Sequence, residues 1–233
     1  MSQAGNTDSE RLVWGRPMGG NERETTLYLI RHGESAWNLE GRVQGQQDVP
    51  LTDRGREQGR RAAARLARVK LTAVYASDLS RARETGELVA APHKLSVAAR
   101  EDLRERSFGV LEGKTLDETA GAPWLIRWEA DRLRNTPPGG ETQPEMAERV
   151  VAALEAIAAA HPGGRVAVAT HGGPIKSMVY HLLRVPLALW NLTFVANGSI
   201  TVLRGTGEVM RLVTLNDTCH LDAEPEASGP TVE

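Results

Sequence analysis

The sequence predicts an α/β fold built around a largely parallel sheet. Three short apolar runs, at residues 27–30, 74–76 and 166–169, have the length and composition of buried strands. Each run adjoins a helical pattern, and this alternation is typical of β-α-β units. A chain of 233 residues lies within the range of one α/β domain with an insertion, so we expect a single domain.

The first long helical pattern begins near Thr52 and is crowded with basic residues. These residues are Arg54, Arg56, Arg60, Arg61, Arg65, Arg68 and Lys70. No aromatic residues interleave with them for base stacking, and the 28 Lys and Arg residues of the chain do not exceed its 30 Asp and Glu residues. We therefore expect a solvated helix face and no nucleic-acid partner.

The clearest helix signal follows at Thr142. The Thr142 hydroxyl can cap the first turn while Glu145 reaches back to complete a capping box. One apolar stripe then consists of Met146, Val150, Leu154 and Ile157. The helix is expected to end near residues 161–163, where His-Pro-Gly interrupts the pattern.

A hairpin is predicted near the end of the chain. Residues 199–203 and 209–215 alternate apolar and polar side chains with period two, and residues 204–208 join them. Because a hairpin is antiparallel, we expect the sheet to be mixed at one edge.

The two ends of the chain differ from the predicted core. Residues 1–23 and 223–233 are rich in Gly, Ser, Pro and charge, so we expect flexible tails around one domain at residues 24–222. The start of the chain has no apolar stretch of a signal peptide, and no run has the length of a membrane helix. One cysteine, Cys219, excludes an internal disulfide. These features predict a cytoplasmic protein with no membrane partner.

Two histidines stand at the ends of predicted strands. His32 and His171 each follow an apolar run after one intervening residue, and each precedes a glycine. In an open α/β sheet, ligands bind beyond the carboxyl ends of parallel strands, so these two histidines can face one another there. A neutral imidazole with one nitrogen bonded to the backbone can present the other as a nucleophile toward phosphorus.

The neighbours of each histidine support an anion site. Beside His32, Arg31 supplies a cation, Gly33 leaves space for a ligand, and Asn38 supplies a neutral donor. After His171, the sequence Gly-Gly-Pro is expected to place Pro174 at the first position of a helix whose free backbone N–H groups attract anions. Without His32, a capping or packing histidine at a glycine turn would be the preferred interpretation of His171.

Two further groups complete the candidate site. Arg81 and Arg83 lie two positions apart on a predicted helix and so face different ways; we assign Arg81 to the pocket and Arg83 to solvent. Taken alone, Glu105 is predicted to be an ordinary exposed carboxylate. Beside a phosphate ester it could protonate the leaving oxygen and later take a proton from water.

Five segments of the chain carry a resemblance to a known family. In order, they are residues 29–35 (LIRHGES), 77–82 (SDLSRA), 103–109 (LRERSFG), 137–141 (PPGGE) and 170–173 (THGG). Together they resemble the histidine phosphatase, or phosphoglycerate mutase-like, superfamily over about residues 25–221, and most of all its small broad-specificity phosphatases.

This resemblance implies a fold, a mechanism and a set of site residues. The fold would be a three-layer α/β/α sandwich with the active site at the C-terminal strand ends and a helical insertion over the pocket. His32 would accept the phosphoryl group and Glu105 would act as general acid and base, with no metal and no cofactor. The phosphoryl oxygens would be bound by Arg31, Arg81 and His171, and the substrate would be contacted by Gly33, Asn38, Gln44, Gly45 and Gly172.

Three functions remain open at this stage. A phosphatase acting on small phosphorylated metabolites is favoured, because residues 114–136 lack the lysine and adjacent arginine pair with which mutases of the family hold a second anion. A cofactor-dependent phosphoglycerate mutase is the alternative, and a noncatalytic phospho-ligand-binding protein is a third. In the same segment, Trp124 and Trp128 can either pack together or form an apolar wall at the pocket. The substrate and the oligomeric state, a homodimer included, stay open.

Overall fold

The computed structural model describes residues 23–206 and 209–222 of the chain. Within these residues the strands are β1 (Thr25–Arg31), β2 (Ala73–Ser77), β3 (Val97–Arg100), β4 (Arg165–Thr170), β5 (Ile200–Thr206) and β6 (Val209–Asp217). The α-helices are α1 (Ala36–Glu40), α2 (Asp53–Leu66), α3 (Ser80–Ala90), α4 (Pro123–Ala130), α5 (Gln143–Ala160) and α6 (Gly172–Leu183). The predicted tails lie outside the described residues, except for Arg23, whose carbonyl accepts a hydrogen bond from the Gly163 N–H.

The six strands form one mixed sheet in the order β3-β2-β4-β1-β5-β6. Strands β3, β2, β4 and β1 are parallel, whereas β5 and β6 run antiparallel to their neighbours. The expectation of a largely parallel sheet that is mixed at one edge is therefore confirmed. In the β1–β4 pair, Arg31 lies opposite Thr170, so both strands end at the same level.

Helices cover both faces of this sheet, which makes the fold a three-layer α/β/α sandwich. One face of β1 and β4 packs on α5 and α6 through residues such as Leu29, Val168 and Met178. The opposite face packs on α2 and α3 through residues such as Ile30 and Ala62. Because side chains alternate along a strand, neighbouring residues of β1 serve different layers.

The structure confirms the predicted capping box and corrects one helix start. Thr142 caps α5, with the Thr142 hydroxyl accepting from the Glu145 N–H and the Glu145 carboxylate accepting from the Thr142 N–H. The position predicted for Pro174 is wrong: α6 begins at Gly172 with His171 as its N-cap, so the proline is the third helical residue. Glycine has no side chain to clash at this start, so the helix begins two residues earlier than the proline suggests.

An insertion between β3 and α5 packs over the carboxyl ends of the strands. Its small core consists of Leu111, Leu125 and Trp128, together with Val43 from the loop after α1, and Trp124 packs against it. The two tryptophan rings lie 6.4 Å apart. Trp124 packs within the insertion, as the packing interpretation predicts. Trp128 also lines the cavity described below, as the interpretation of an apolar wall predicts.

The basic helix α2 is a solvated face whose cations are paired with carboxylates. Arg54 pairs with Glu34, and Arg56 pairs with both Glu84 and Asp53. Further pairs join Arg60 and Arg61 to Glu57 and Arg65 to Asp217. Among the described residues, no helix is both long enough and apolar enough to span a bilayer.

Candidate active site

The carboxyl ends of β1 and β4 bring His32 and His171 together. The His32 N–H donates to the Thr170 carbonyl at 2.9 Å, which continues the strand pairing by one residue. The two imidazole rings lie edge to face, with their centres 5.1 Å apart. Both rings are buried, His32 at 3% exposure and His171 at 0%.

The hydrogen bonding of His32 determines which of its nitrogens can react. Its Nδ1 lies 2.6 Å from the Gly33 carbonyl oxygen. A carbonyl can only accept, so Nδ1 carries the proton and Nε2 keeps its lone pair. Burial, reinforced by the positive charges of Arg81 and Arg31, holds the pKa of His32 well below its ordinary value of 6.5. His32 is therefore a neutral imidazole with a free nucleophilic nitrogen at neutral pH.

His171 lies deeper and is held by β2. Its Nε2 lies 2.9 Å from the Ser77 hydroxyl, while its buried Nδ1 has no partner among the described residues. Burial, with the charges of Arg81, the other histidine and Arg31, holds the pKa of His171 well below 6.5. A neutral His171 that accepts from Ser77 would carry its proton on Nδ1, where it can donate to an anion.

Two buried arginines supply positive charge beside the histidines. Arg31 is 3% exposed and donates from Nη1 to the Val195 carbonyl at 2.5 Å. Arg81 is fully buried on the first turn of α3 and donates to the carbonyls of Gly45 and Gln47, both at 2.7 Å. Burial lowers the pKa of Arg81 to about 10, so the guanidinium stays charged at neutral pH. Arg83 is exposed and pairs with Glu87, as the sequence predicted.

Backbone donors orient the carboxylate of Glu105. Its Oε1 accepts from the Arg106 N–H at 2.8 Å, and its Oε2 accepts from the Gly173 N–H at 3.0 Å. The second donor belongs to the first turn of α6, where the helix dipole favours a negative group. Glu105 is therefore a positioned carboxylate at the cavity, not a freely solvated one.

A half-buried ion pair supports the segment that carries Glu105. The Arg149 guanidinium binds the Glu141 carboxylate through two hydrogen bonds of 3.0 and 2.8 Å. Its Nη1 also donates to the carbonyls of Asp102 and Arg104, just before Glu105. Sequence reasoning did not find Arg149, because the Asp102 and Arg104 carbonyls that it binds lie 47 and 45 residues away along the chain.

A cavity of about 340 Å³ opens beside His32. His171, which is fully buried, is not among the described lining residues. Of the predicted site residues, its lining includes Arg31, His32, Asn38, Gln44, Gly45, Arg81 and Glu105. Asn38 also completes the capping box of α1, where its side-chain oxygen accepts from the Ser35 N–H and hydroxyl. The Ser35 hydroxyl further bonds to the side chain of Gln44 at 2.6 Å. These contacts tie the loop after β1 to the loop around Gly45.

Two predicted glycines make close contacts within the fold. A Cβ on Gly33 would lie 2.1 Å from the backbone oxygen of Gly55, so glycine is needed there for close packing on α2. Gly172 is the first residue of α6, and the described cavity lining includes Gly173 in its place. A Cβ on Gly173 would lie 2.0 Å from a carboxylate oxygen of Glu105.

Sequence reasoning missed several groups that line the cavity. The most prominent is Arg106, which is 4% exposed although it carries a charge. Others are Trp190 and Leu187, which enter from the segment after α6. Within residues 23–206 and 209–222, no group of three or more His, Cys, Asp or Glu side chains is arranged to hold a metal ion.

The fold and the site together define the class of protein. It is an α/β protein with two neutral histidines, two buried arginines and an oriented carboxylate at the carboxyl ends of its parallel strands. Such a site can bind an anion and offer it a nucleophilic nitrogen.

Comparison with known proteins gives the family. The sequence profile of the histidine phosphatase superfamily (branch 1) matches residues 27–218, and the chain belongs to this superfamily. Its members are enzymes.

Relatives at about one-third identity carry both mutase-like and phosphatase names. "Phosphoglycerate mutase-like protein 4" of Arabidopsis thaliana is 37% identical over 206 residues, covering 84% of this chain and 86% of the relative. The solved mycobacterial glucosyl-3-phosphoglycerate phosphatase is 32% identical with a TM-score of 0.73, covering 84% and 100% of the two chains. The phosphoserine phosphatase of Entamoeba histolytica, solved with 3-phosphoglyceric acid, is 28% identical with a TM-score of 0.74 and covers 84% and 99%.

Proposed function

We propose that this protein is a phosphatase that hydrolyses phosphate monoesters of small metabolites through a phosphohistidine on His32. The observation that carries the proposal is the Nδ1–H bond from His32 to the Gly33 carbonyl, which leaves Nε2 free to attack phosphorus. A depressed pKa keeps that nitrogen unprotonated at neutral pH.

In the first half-reaction, Nε2 of His32 forms a bond to phosphorus while the bond from phosphorus to the ester oxygen breaks. Glu105, in its protonated form, gives its proton to the leaving oxygen, so an alcohol departs. Arg31, Arg81 and the Nδ1–H of His171 stabilise the negative charge of the transferring group. These two cations and one neutral donor are preorganised for the role that a metal ion has in other phosphoryl-transfer sites.

In the second half-reaction, water attacks the phosphohistidine. The Glu105 carboxylate takes a proton from the water as the new oxygen–phosphorus bond forms and the nitrogen–phosphorus bond breaks. Inorganic phosphate leaves, His32 is again neutral, and Glu105 is again protonated. The same carboxyl group therefore serves as acid and then as base.

Hydrolysis is favoured over mutase activity because few cations of the insertion line the cavity. A mutase must hold a second anionic group of its substrate while the phosphoryl group is returned to it. Of the four cations that the sequence offers in residues 114–136, only Arg132 is among the cavity-lining residues described; the others are Lys114, Arg127 and Arg134. Two solved relatives also have phosphatase names.

The test is phosphate release from a panel of esters in the presence of EDTA. The panel contains p-nitrophenyl phosphate, 3-phosphoglycerate, sugar phosphates and nucleotides, and His32→Ala is run in parallel. We expect metal-independent turnover that the substitution abolishes. His181→Ala, at an exposed histidine outside the cavity, is the matched control and should retain activity.

Other outcomes distinguish the alternatives. Conversion of 3-phosphoglycerate to its isomer only with a bisphosphorylated primer would establish a mutase. A binding protein would release no phosphate, and its affinity for a phosphorylated ligand would survive the His32→Ala substitution.

We propose that the protein acts in the cytoplasm. Its proposed partner is a small phosphorylated metabolite, and we expect it to bind neither nucleic acid nor a membrane. The near balance of charges and the pairing of the α2 cations support this assignment. Cell fractionation with an antibody to the protein tests it.

A further inference from the structure

The guanidinium of Arg81 is held by a loop that belongs to no helix or strand. Its Nη1 and Nη2 donate to the carbonyls of Gln47 and Gly45, both at 2.7 Å. Residues 45–47 form a turn between α1 and α2. Because two backbone carbonyls fix the guanidinium, the position of this loop determines where Arg81 points.

The carboxylate of Glu112 holds this loop in place. Its Oε1 accepts from the Gln46 N–H at 3.1 Å, and its Oε2 accepts from the side-chain amide of Gln47 at 2.9 Å. A Cβ on Gly45 would lie 2.1 Å from the same Oε1, so the loop packs directly on the carboxylate. The loop that orients Arg81 therefore depends on Glu112.

The same carboxylate also binds the segment that carries Glu105. The Oε1 of Glu112 accepts from the Phe108 N–H at 2.9 Å and from the Ser107 hydroxyl at 3.3 Å. A second link between loop and segment is the side-chain amide of Gln46, which donates to the Glu105 carbonyl at 3.1 Å. Glu112 therefore joins this segment to the loop.

Glu112 can act on the reaction only through these other groups. It is half-buried and is not among the described residues that line the cavity. Burial lowers the pKa of Arg81 to about 10, while neighbouring carboxylates that include Glu112 act in the opposite direction. The guanidinium therefore stays charged at neutral pH, and its position is what Glu112 can change.

We propose that Glu112 is a positioning residue for phosphoryl transfer, whose carboxylate sets the place of Arg81 relative to Glu105. This inference rests on the proposed hydrolysis, because that reaction assigns the phosphoryl oxygens to Arg81 and the leaving oxygen to Glu105. A cation stabilises the transferring group only if it is already in place, and a small displacement is costly. His32 is held by separate contacts to Gly33 and does not depend on the loop.

The test is a double-mutant cycle of Glu112→Ala and Arg81→Ala on p-nitrophenyl phosphate, whose leaving group needs little help from Glu105. We expect Glu112→Ala to lower kcat/KM roughly ten- to a hundredfold, as when a group that orients a functional side chain is lost. The Ki of orthovanadate, which mimics the transferring group, should rise by a similar factor. In the Arg81→Ala background, Glu112→Ala should change kcat/KM less than about threefold, because the group through which it acts is missing.

Two variants serve as controls. Glu112→Gln keeps an oxygen at the position of Oε1, which accepts from Gln46, Phe108 and Ser107, so it should retain most of the activity. Asp117→Ala removes an exposed carboxylate five residues further along, whose side chain makes no hydrogen bond within residues 23–206 and 209–222. This variant should leave kcat/KM and the Ki of orthovanadate unchanged.

The outcomes separate this inference from the proposed function. An unchanged kcat/KM or Ki in Glu112→Ala, or an equal loss with and without Arg81, overturns the positioning role while hydrolysis stands. A loss in Glu112→Gln as large as in Glu112→Ala overturns it too, because the hydrogen bonds would then not matter. If Glu112→Ala does not fold, Glu112→Asp, whose shorter side chain cannot reach both segments, replaces it in the cycle. No phosphate release by the wild type overturns both proposals.

Discussion

The rings of His32 and His171 lie 5.1 Å apart, edge to face, with two buried arginines beside them. Burial disfavours the charged form of both imidazoles and the charges of the two arginines add to this effect, so the pKa of each histidine is lowered and both are neutral at neutral pH. The low pKa of each histidine is thus a property of the site as a whole. The low pKa of His32 keeps its Nε2 unprotonated and nucleophilic at neutral pH. The two low pKa values also make the free energy of unfolding depend on pH.

The first prediction concerns stability below neutral pH. Unfolded histidines bind protons as the pH falls through 6.5, whereas the folded protein keeps these two neutral, so the unfolded state gains protons that the folded state lacks. The free energy of unfolding should therefore fall as the pH is lowered from 7.5 to 5.5. Carboxylates with lowered pKa values, such as Asp78, titrate below this window.

Urea unfolding across this pH range checks the prediction with His32→Asn as the comparison. Removing one of the two histidines should reduce the slope, by up to about 1.4 kcal/mol per pH unit for one proton. A slope that is identical in wild type and variant would mean that His32 is not neutral in the folded protein.

The second prediction concerns the role of Glu105. Glu105→Gln keeps an acceptor oxygen for one of the two backbone N–H groups, those of Arg106 and Gly173, leaves the other facing an amide NH2, and removes the proton donor. Hydrolysis of an alkyl phosphate should slow by about 10²–10⁴-fold, whereas p-nitrophenyl phosphate, whose leaving group needs little protonation, should be affected far less. Steady-state kinetics on the two esters measure this difference, and equal losses would remove Glu105 from the acid role.

The third prediction concerns Ser77 as a positioning residue for His171. Ser77→Ala removes the hydrogen-bond partner of the His171 Nε2. Either ring nitrogen of His171 can then carry the proton. We expect kcat to fall roughly ten- to a hundredfold, as when a hydrogen bond that orients a functional histidine is lost. The ¹⁵N chemical shifts of the His171 ring should move toward a mixture of tautomers. Unchanged shifts together with a lower kcat would point to a general packing defect.

The fourth prediction separates the two interpretations of Gly33. A Cβ at this position would meet the backbone of Gly55 at 2.1 Å, so Gly33→Ala should destabilise the fold by at least about 2 kcal/mol. Thermal unfolding measures this loss. A variant of normal stability and lost activity would instead support the original view that Gly33 makes room for the ligand.

Much of the fold was predictable because its signals are local. The apolar runs of β1, β2 and β4 and the capping box at Thr142 each depend on residues within one turn or one strand. Strand β3 was missed, because its two middle residues are exposed, its two end residues are only half-buried, and the four show no clear alternation.

The site was less predictable where it depends on tertiary contacts. Arg104 and Arg106 flank Glu105 symmetrically in the sequence, yet the first pairs with Asp78 outside the cavity and the second lies within it. Nothing local distinguishes these arginines, because the difference comes from segments far away in the chain. The contact between Gly33 and Gly55 could not be predicted from the sequence, because it also depends on how separate segments pack together.

The most direct test of the account is to trap the intermediate. The protein is mixed with a ³²P-labelled phosphate monoester, quenched in alkali within one turnover, and the label is mapped to a residue. We predict an acid-labile, alkali-stable label on His32 that is absent from His32→Ala. This label should form and decay as fast as phosphate is released. Full turnover by His32→Ala, or a label on another residue, would contradict it.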